Sequence, residues 1–220
     1  MPTGNENLLG ALIQGLIYCW NETIGYSQTT RELNPNLDCS SFIWYCLYNN
    51  GFDVGTSPWY TGDMMGRLVN AGFTEYIWQQ NLFTPQHGDI FVYHEVDPIT
   101  QRYNGHTFFY AENVRAYKNG YLGWRVCDSQ IEVCPQVKIE ASGTHDHDED
   151  GDQDNGHGAH TEVWVHTFNE IAESGHTWHV FRWGGDPPGP IPPEPPYPPG
   201  HLPFWLLKKI RDHNFTKEGY

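Results

Sequence analysis

The chain has 220 residues, with 12 Lys or Arg against 27 Asp or Glu, so its formal net charge is −15 at pH 7. This excess of negative charge disfavours nucleic acids and anionic membranes as partners, because both are polyanions. There is neither an opening signal-like segment nor an apolar stretch of roughly 18 to 20 residues, so we expect synthesis in the cytoplasm without a signal peptide or membrane span.

Three helices are predicted in the first third of the chain. The first, residues 7–24, has an apolar side made of Leu8, Leu12, Leu16 and Trp20. The second covers residues 39–50 and follows Asp38, a residue type that caps helix N-termini. Residues 59–71 predict a third helix, with Thr61 as its cap.

The second half of the compact region has the alternation of apolar and polar residues that is typical of β-strands. Five strand candidates follow one another, separated by Gly, Asn and Asp turns: residues 89–94, 106–112, 123–129, 161–168 and 176–183. Helices followed by an antiparallel sheet of about five strands predict an α+β fold.

One compact domain is predicted over residues 1–183. Residues 184–203 contain ten prolines and indicate an extended polyproline II linker. Residues 204–220 begin with a short amphipathic segment, which we interpret either as a docking segment for a larger assembly or as a tail ordered only against a neighbour.

Cys39 is the candidate nucleophile, because it is predicted to stand at the first turn of a helix directly after its cap. Asp38 would hold the free N–H groups of that turn, and the positive end of the helix dipole favours the thiolate over the thiol. A lone cysteine is more often buried and inert, so the assignment depends on partners elsewhere in the chain.

His106 is the candidate base, at the start of the second predicted strand. His106, Phe108 and Tyr110 share one face of that strand, so packing of Phe108 against the Cys39 helix would direct the imidazole towards the nucleophile. On the next predicted strand, Asp128 would accept the second imidazole N–H and support the imidazolium.

These residues together resemble the NlpC-type papain-like cysteine peptidases of bacterial cell walls and, within them, the bacteriophage peptidoglycan hydrolases that act as amidases or endopeptidases. The elements that carry the resemblance are Tyr26-Ser27-Gln28, Arg31, Leu37-Asp38-Cys39-Ser40-Ser41-Phe42, Pro85-Gln86-His87-Gly88-Asp89-Ile90 and Gly105-His106-Thr107. The resemblance implies a papain-like fold and a Cys39, His106 and Asp128 mechanism that requires no cofactor.

Substrate contacts are also implied by this resemblance. Tyr26 would hydrogen-bond the substrate, although a loop tyrosine that covers the core is the alternative. Ser40 and Ser41 follow the nucleophile and are expected in the substrate site, where backbone N–H groups at the helix start would meet the oxyanion.

Residues 145–160 depart from the pattern of that family. Asp146, Asp148 and Asp150 have the spacing that opens a calcium loop, and the four histidines of the segment would suit zinc or another transition metal. A solvated loop without metal is the alternative interpretation.

The leading hypothesis is therefore a phage peptidoglycan hydrolase that cleaves an amide of the cell-wall peptide stem, as an endolysin or a virion-associated lysin. A pore or the virion would carry it to the cell wall, and the C-terminal segment would contact other virion proteins. A non-catalytic virion structural or adaptor protein and a divalent-metal-binding module are the alternatives. The presence of both Cys39 and His106 favours the enzyme.

Overall fold

The computed structural model describes residues 4–19, 24–29, 31–33, 36–79, 82–115, 133–142, 163–168 and 175–184. The helices of these ranges are α1 (Gly4–Cys19), α2 (Cys39–Tyr48) and α3 (Thr61–Asn70). The strands are β1 (Gly25–Tyr26), β2 (Asn36–Leu37), β3 (Phe73–Ile77), β4 (Ile90–Val96), β5 (Tyr103–Arg115), β6 (Val133–Ala141), β7 (Val163–Thr167) and β8 (His179–Trp183).

An antiparallel sheet with the strand order β3-β8-β4-β5-β6-β7 forms the centre of the described structure. The short strands β1 and β2 pair with each other in parallel, with Gly25 opposite Asn36. The α+β prediction is confirmed, because the helices come first in the chain and the antiparallel sheet follows.

The predicted strands correspond to the sheet with three exceptions. Residues 123–129 lie outside the described residues, while β3 and β6 were not predicted. β3 is exposed at four of its five positions, so it lacks a clear apolar face. β6 does alternate, with Val137, Ile139 and Ala141 buried on one face, and this signal could have located it.

The helices α1 and α2 pack on one face of the sheet and build the main core. The rings of Phe42 on α2 and Phe109 on β5 meet edge to face at 6.1 Å between centroids. A Cβ at Gly15 of α1 would lie 3.1 Å from the Phe42 ring and 3.3 Å from Ile139, so the absence of a side chain lets this helix approach both. The nucleophile helix is therefore held between α1 and the sheet.

The opposite face of the sheet carries an aromatic cluster: Trp78, Phe91, Tyr93, Phe108, Tyr110, Phe168 and Trp178. Phe91 and Phe108 stack there at 4.9 Å. The expected packing of Phe108 against the Cys39 helix is thus wrong, because side chains alternate along β5 and Phe109 faces that helix instead.

The limits of the helices differ from the prediction at a few positions. α1 begins at Gly4 and ends at Cys19, earlier than the predicted 7–24. Tyr60, without a side-chain hydrogen bond, caps α3, so the predicted Thr61 cap is wrong. None of the described helices combines the length and apolar character that crossing a bilayer would require.

Asp89, at the start of β4, has a structural role. Its carboxylate is 1% exposed and accepts hydrogen bonds from Arg182 Nε at 2.8 Å and Nη2 at 2.7 Å, and from the Gln86 N–H at 2.8 Å. Arg182 also donates to the Thr84 carbonyl at 3.1 Å. These bonds attach the turn that precedes β4 to β8, which is the strand next to β4 in the sheet.

His87 lies in the same turn, and its environment should make the stability of the fold decrease in acid. Its Nδ1 accepts the Glu112 N–H at 2.9 Å, and burial lowers the pKa of His87 to about 4. Because the unfolded chain binds this proton more readily, the stabilisation is present above about pH 6.5 and is lost as the pH falls towards 4. We expect this site to lower the free energy of unfolding by up to roughly 1.4 kcal/mol per pH unit in that range.

Urea unfolding at pH 7, 6 and 5 measures this dependence. His87→Asn keeps an acceptor for the Glu112 N–H but does not titrate, so it should flatten the pH dependence. An equally steep dependence in the variant would contradict the role of His87.

Candidate active site

Cys39, the candidate nucleophile, stands at the first position of α2, as predicted. Asp38 is the N-cap: its Oδ1 accepts the Ser41 N–H at 2.6 Å, and the Ser41 Oγ accepts the Asp38 N–H at 2.8 Å. This reciprocal capping box fixes the start of the helix at Cys39. The Cys39 residue is 5% exposed, at the end of the helix where the dipole is positive.

Arg31 reinforces this cap from the preceding loop. Its Nε lies 2.7 Å from Asp38 Oδ2, and its Nη2 donates to Ser40 Oγ at 2.9 Å. The Ser40 hydroxyl in turn donates to the Trp59 carbonyl at 2.8 Å. The side chains of Arg31 and Asp38 are only 9% and 6% exposed, so this is a largely desolvated ion pair.

The side chains of Ser40 and Ser41 are occupied by this network. Ser40 is 1% exposed and Ser41 is fully buried, and both hydroxyls bond within the cap. Helix geometry leaves the backbone N–H groups of Cys39 and Ser40 without intrahelical acceptors, whereas the Ser41 N–H donates to Asp38. Substrate binding by Ser40 and Ser41 stays a prediction.

The cap network predicts a large loss of stability for Asp38→Ala. This change removes the acceptor of the Ser41 N–H and leaves the Arg31 guanidinium buried without its carboxylate. We expect about 3–5 kcal/mol less free energy of unfolding, measured by urea titration. Ser41→Ala, which breaks only one half of the box, should cost about 1 kcal/mol. If both variants lose the same free energy of unfolding, the ion pair between Arg31 and Asp38 is not the main contribution of the cap.

His106 interacts with Cys39, the candidate nucleophile, and with a carboxylate. The Cys39 side chain is among the neighbours that raise the pKa of the imidazole. The Nε2 atom of His106 lies 2.6 Å from Glu140 Oε2. The side chain of His106 is 21% exposed and that of Glu140 is 4% exposed, so the pair meets at the border between the core and solvent.

The electrostatics of this pair favour a protonated imidazole. Burial alone would disfavour the charge, but the Glu140 carboxylate and Cys39 outweigh it and raise the pKa of His106 to about 10. His106 therefore carries a proton at neutral pH.

Glu140 was missed from the sequence, where Asp128 was the expected third residue. Asp128 lies outside the described residues and stays a prediction. Glu140 is on β6, next to β5, and its second oxygen, Oε1, lies 3.3 Å from Lys138 Nζ. A glutamate on a strand whose alternate residues are apolar is the signal that could have indicated it.

Tyr26, on β1, also interacts with Cys39. The residue is 9% exposed, and Cys39 and Gln28 are among the neighbours that affect the pKa of its hydroxyl. Burial and the neighbouring Cys39 raise the pKa of Tyr26 well above its ordinary value. The phenol therefore stays protonated and acts as a donor beside the sulfur. Its predicted contact with substrate is untested.

The expected metal ligands Asp146, Asp148 and Asp150 lie outside the described residues, as does the whole segment 145–160. A calcium or zinc site there stays a prediction. Within the ranges that the structure does describe, no three His, Cys, Asp or Glu side chains come together in a way that could hold a metal ion.

Comparison with known proteins gives one family. Residues 17–123, a little under half of the chain, match the family described as bacteriophage peptidoglycan hydrolase. The match includes Cys39 and His106 and ends before Asp128 and Glu140. It confirms the resemblance to phage peptidoglycan hydrolases, while membership of the NlpC-type peptidases stays a prediction. No match was found among curated proteins.

Proposed function

With the match to bacteriophage peptidoglycan hydrolases as the premise, we propose that this protein hydrolyses an amide of peptidoglycan by a cysteine mechanism. Cys39 is the nucleophile, His106 the general base and acid, and Glu140 the residue that holds the imidazole. The proposal is supported by the position of Cys39 at the start of α2 together with the His106–Glu140 pair, whose imidazole interacts with Cys39.

Acylation begins when the Cys39 thiolate attacks the amide carbonyl carbon. The carbonyl oxygen becomes an oxyanion, which the N–H groups at the start of α2 and the Tyr26 hydroxyl would stabilise. The C–N bond then breaks as the His106 imidazolium gives its proton to the leaving amine. The products of this step are a free amine and a thioester on Cys39.

Deacylation uses the same residues. Neutral His106 takes a proton from water, and the resulting hydroxide attacks the thioester carbonyl. The C–S bond breaks, which releases the carboxylate product and restores the thiolate–imidazolium pair. Throughout, Glu140 keeps Nε2 as the donor and supports the positive charge, as the acid of a catalytic triad does.

The place of action is part of this proposal. The proline-rich linker 184–203 and the apolar start of residues 204–220 support attachment to a larger assembly, so we favour a virion-associated lysin over an endolysin. Mass spectrometry of purified virions tests this point. A protein found only in infected cells and never in virions would favour the endolysin.

Digestion of purified peptidoglycan tests the activity itself. The wild-type protein should release new amino and carboxyl termini in equal amounts, identified by mass spectrometry of the fragments. Alkylation of Cys39 by iodoacetamide, confirmed by peptide mapping, should stop their release. Undiminished release by the alkylated protein would exclude the cysteine mechanism, and no release by the native protein would favour a structural virion protein.

A further inference from the structure

Trp178 packs against the imidazole of His106, the candidate base, from the side of the aromatic cluster. The centres of the two rings are 6.5 Å apart and their planes are inclined by 75°, which is an edge-to-face contact. The indole also meets the ring of Phe108, two residues further along β5, at 5.0 Å. Trp178 is only 1% exposed, so a bulky apolar group covers this side of the imidazole.

The pairing of the strands explains this contact. Tyr93 on β4 lies directly opposite His106 on β5, so the two side chains are neighbours on one face of the sheet. On the other side of β4, the last register pair with β8 is Val92 with His179. Trp178 comes one residue before His179, and its ring meets the Tyr93 ring edge to face at 4.7 Å. Trp178, Tyr93 and His106 thus form a row across the sheet.

The segment before β8 is held by Glu95, two residues after Tyr93. Its Oε1 accepts the Thr177 N–H at 2.7 Å, and its Oε2 lies 3.1 Å from His176 Nδ1. The His176 ring also stacks on Tyr93, at 4.0 Å between centroids and 3° between planes. We call these three contacts the Glu95 clamp. Because Trp178 directly follows the two residues that Glu95 holds, the clamp fixes the position of the indole.

The charge of His106 depends on groups from several elements. They are Cys39 on α2, Lys138 and Glu140 on β6, Tyr93 on β4 and the Glu95–His176 pair that lies against Tyr93. Burial lowers the pKa of His106, whereas Glu140 and Cys39 raise it, and the result is about 10. The proton of the base is therefore held mainly by charged neighbours.

Water near the His106–Glu140 pair would weaken this effect. The attraction between an imidazolium and a carboxylate falls as the local dielectric constant rises. The Glu140 side chain is 4% exposed, but that of His106 is 21% exposed, so the imidazole has one open side. Its other sides must be closed by protein if the pair is to keep its strength, and Trp178 closes one of them.

We propose that Trp178 is a positioning residue for the base: held by Tyr93 and the Glu95 clamp, its indole keeps water from the His106–Glu140 pair and fixes the plane of the imidazole. This inference rests on the proposed function, which assigns His106 to catalysis. It adds that the protonation of the base depends on a side chain outside the set of Cys39, His106 and Glu140.

Nuclear magnetic resonance of protein labelled with ¹³C-histidine measures the titration of His106 directly. The His106 signal, identified by its loss in His106→Gln, should titrate near pH 10 in the wild-type protein. Trp178→Ala admits water to the pair, so the midpoint should move by about one pH unit or more towards the ordinary 6.5. Trp178→Phe keeps a ring against the imidazole and should restore most of this shift. An unchanged or higher midpoint in Trp178→Ala would overturn the proposal.

Trp78→Ala is the matched control, since Trp78 belongs to the same aromatic cluster and is 5% exposed, with its ring against Phe91 and Phe168. It removes the same side chain from the cluster but leaves the row of Trp178, Tyr93 and His106 intact. The midpoint of His106 should therefore stay near its wild-type value. Equal shifts in the two tryptophan variants would indicate a general loosening of the cluster and contradict a specific role of Trp178.

Glu95→Ala tests the clamp at a position where the side chain is 36% exposed, so it also decides the question if Trp178→Ala fails to fold. It should lower the midpoint of His106 by a smaller amount than Trp178→Ala. Glu95→Gln removes the same charge but keeps an acceptor for the Thr177 N–H, so it should shift the midpoint less. No shift in Glu95→Ala, or equal shifts in the two variants, would contradict the clamp.

The titrations require no turnover, so they are separate from the test of the proposed function. If the native protein does not digest peptidoglycan, the proposed function fails, while the midpoint of His106 still decides the role of Trp178. In the active protein, the basic limb of the pH–rate profile of Trp178→Ala should move to lower pH together with this midpoint. A basic limb that stays in place while the midpoint moves would exclude a role of Trp178 in catalysis.

Discussion

Cys39→Ala is expected to lower the rate of peptidoglycan hydrolysis by at least about 10⁴-fold, because no other group in the site can form the thioester. The fold should persist, since the capping box of Asp38 and Ser41 does not involve the thiol. Turbidity loss of purified peptidoglycan gives the rate, and circular dichroism with thermal unfolding reports the fold. A loss of activity of less than tenfold in Cys39→Ala would exclude Cys39 as the nucleophile.

Cys46→Ala is the matched control for this experiment. Cys46 lies on the same helix, is fully buried, and burial raises the pKa of its thiol well above the ordinary value. It is therefore a packing residue with an inert thiol. We expect a small loss of stability from the cavity and a rate close to that of wild type. A comparable loss of activity in both variants would indicate a general effect of thiol removal on the helix.

The first turn of α2 could be predicted because its causes are local in sequence. The N-cap Asp38, the residue three positions later that completes the box, and the apolar stripe behind them all lie within residues 38–47. For the same reason Cys39 was placed correctly from sequence alone. The Arg31 ion pair with Asp38 also lies close in sequence, but the Tyr60 ring that covers the guanidinium is far along the chain, so its burial could not be read from the sequence.

The alternation of β6 could have indicated Glu140 as a buried acid, but its pairing with His106 depends on how the strands pair. His106 and Glu140 are 34 positions apart, and they meet because β5 and β6 are neighbours in a register with Phe109 opposite Ile139. A shift of the strand partner by a few residues changes which acid faces the imidazole. The prediction that Phe108 packs on α2 was wrong for a related reason. The sequence shows which residues share a face of β5, but it does not show which of the two faces packs against the helix.

Glu140→Gln is expected to lower kcat by about 10²- to 10⁴-fold while the site keeps its shape. Glutamine has nearly the same volume and can still accept from the imidazole, but it lacks the charge that raises the pKa of His106 to about 10. The pKa of His106 should then fall towards its ordinary value near 6.5. Because the proposed reaction needs the imidazolium, the basic limb of the pH–rate profile should move to lower pH.

The linked effect on stability has a definite sign. In the wild-type protein the raised pKa of His106 stabilises the fold fully below about pH 6.5, and this contribution is lost as the pH rises towards 10. Glu140→Gln should remove that pH dependence, measured by urea unfolding at pH 7 and 9. Glu112→Gln, which alters a carboxylate on β5 that bonds the Tyr110 hydroxyl at 3.3 Å, is the matched control and should keep both profiles.

Lys138→Met gives a change of opposite direction in the same pH–rate measurement. Lys138 Nζ lies 3.3 Å from Glu140 Oε1 and competes with His106 for the charge of this carboxylate. Its removal should leave the carboxylate to the imidazole alone and move the basic limb to higher pH. If Glu140→Gln and Lys138→Met shift the basic limb of the pH–rate profile in the same direction, or if neither variant shifts it, the Glu140 carboxylate does not raise the pKa of His106.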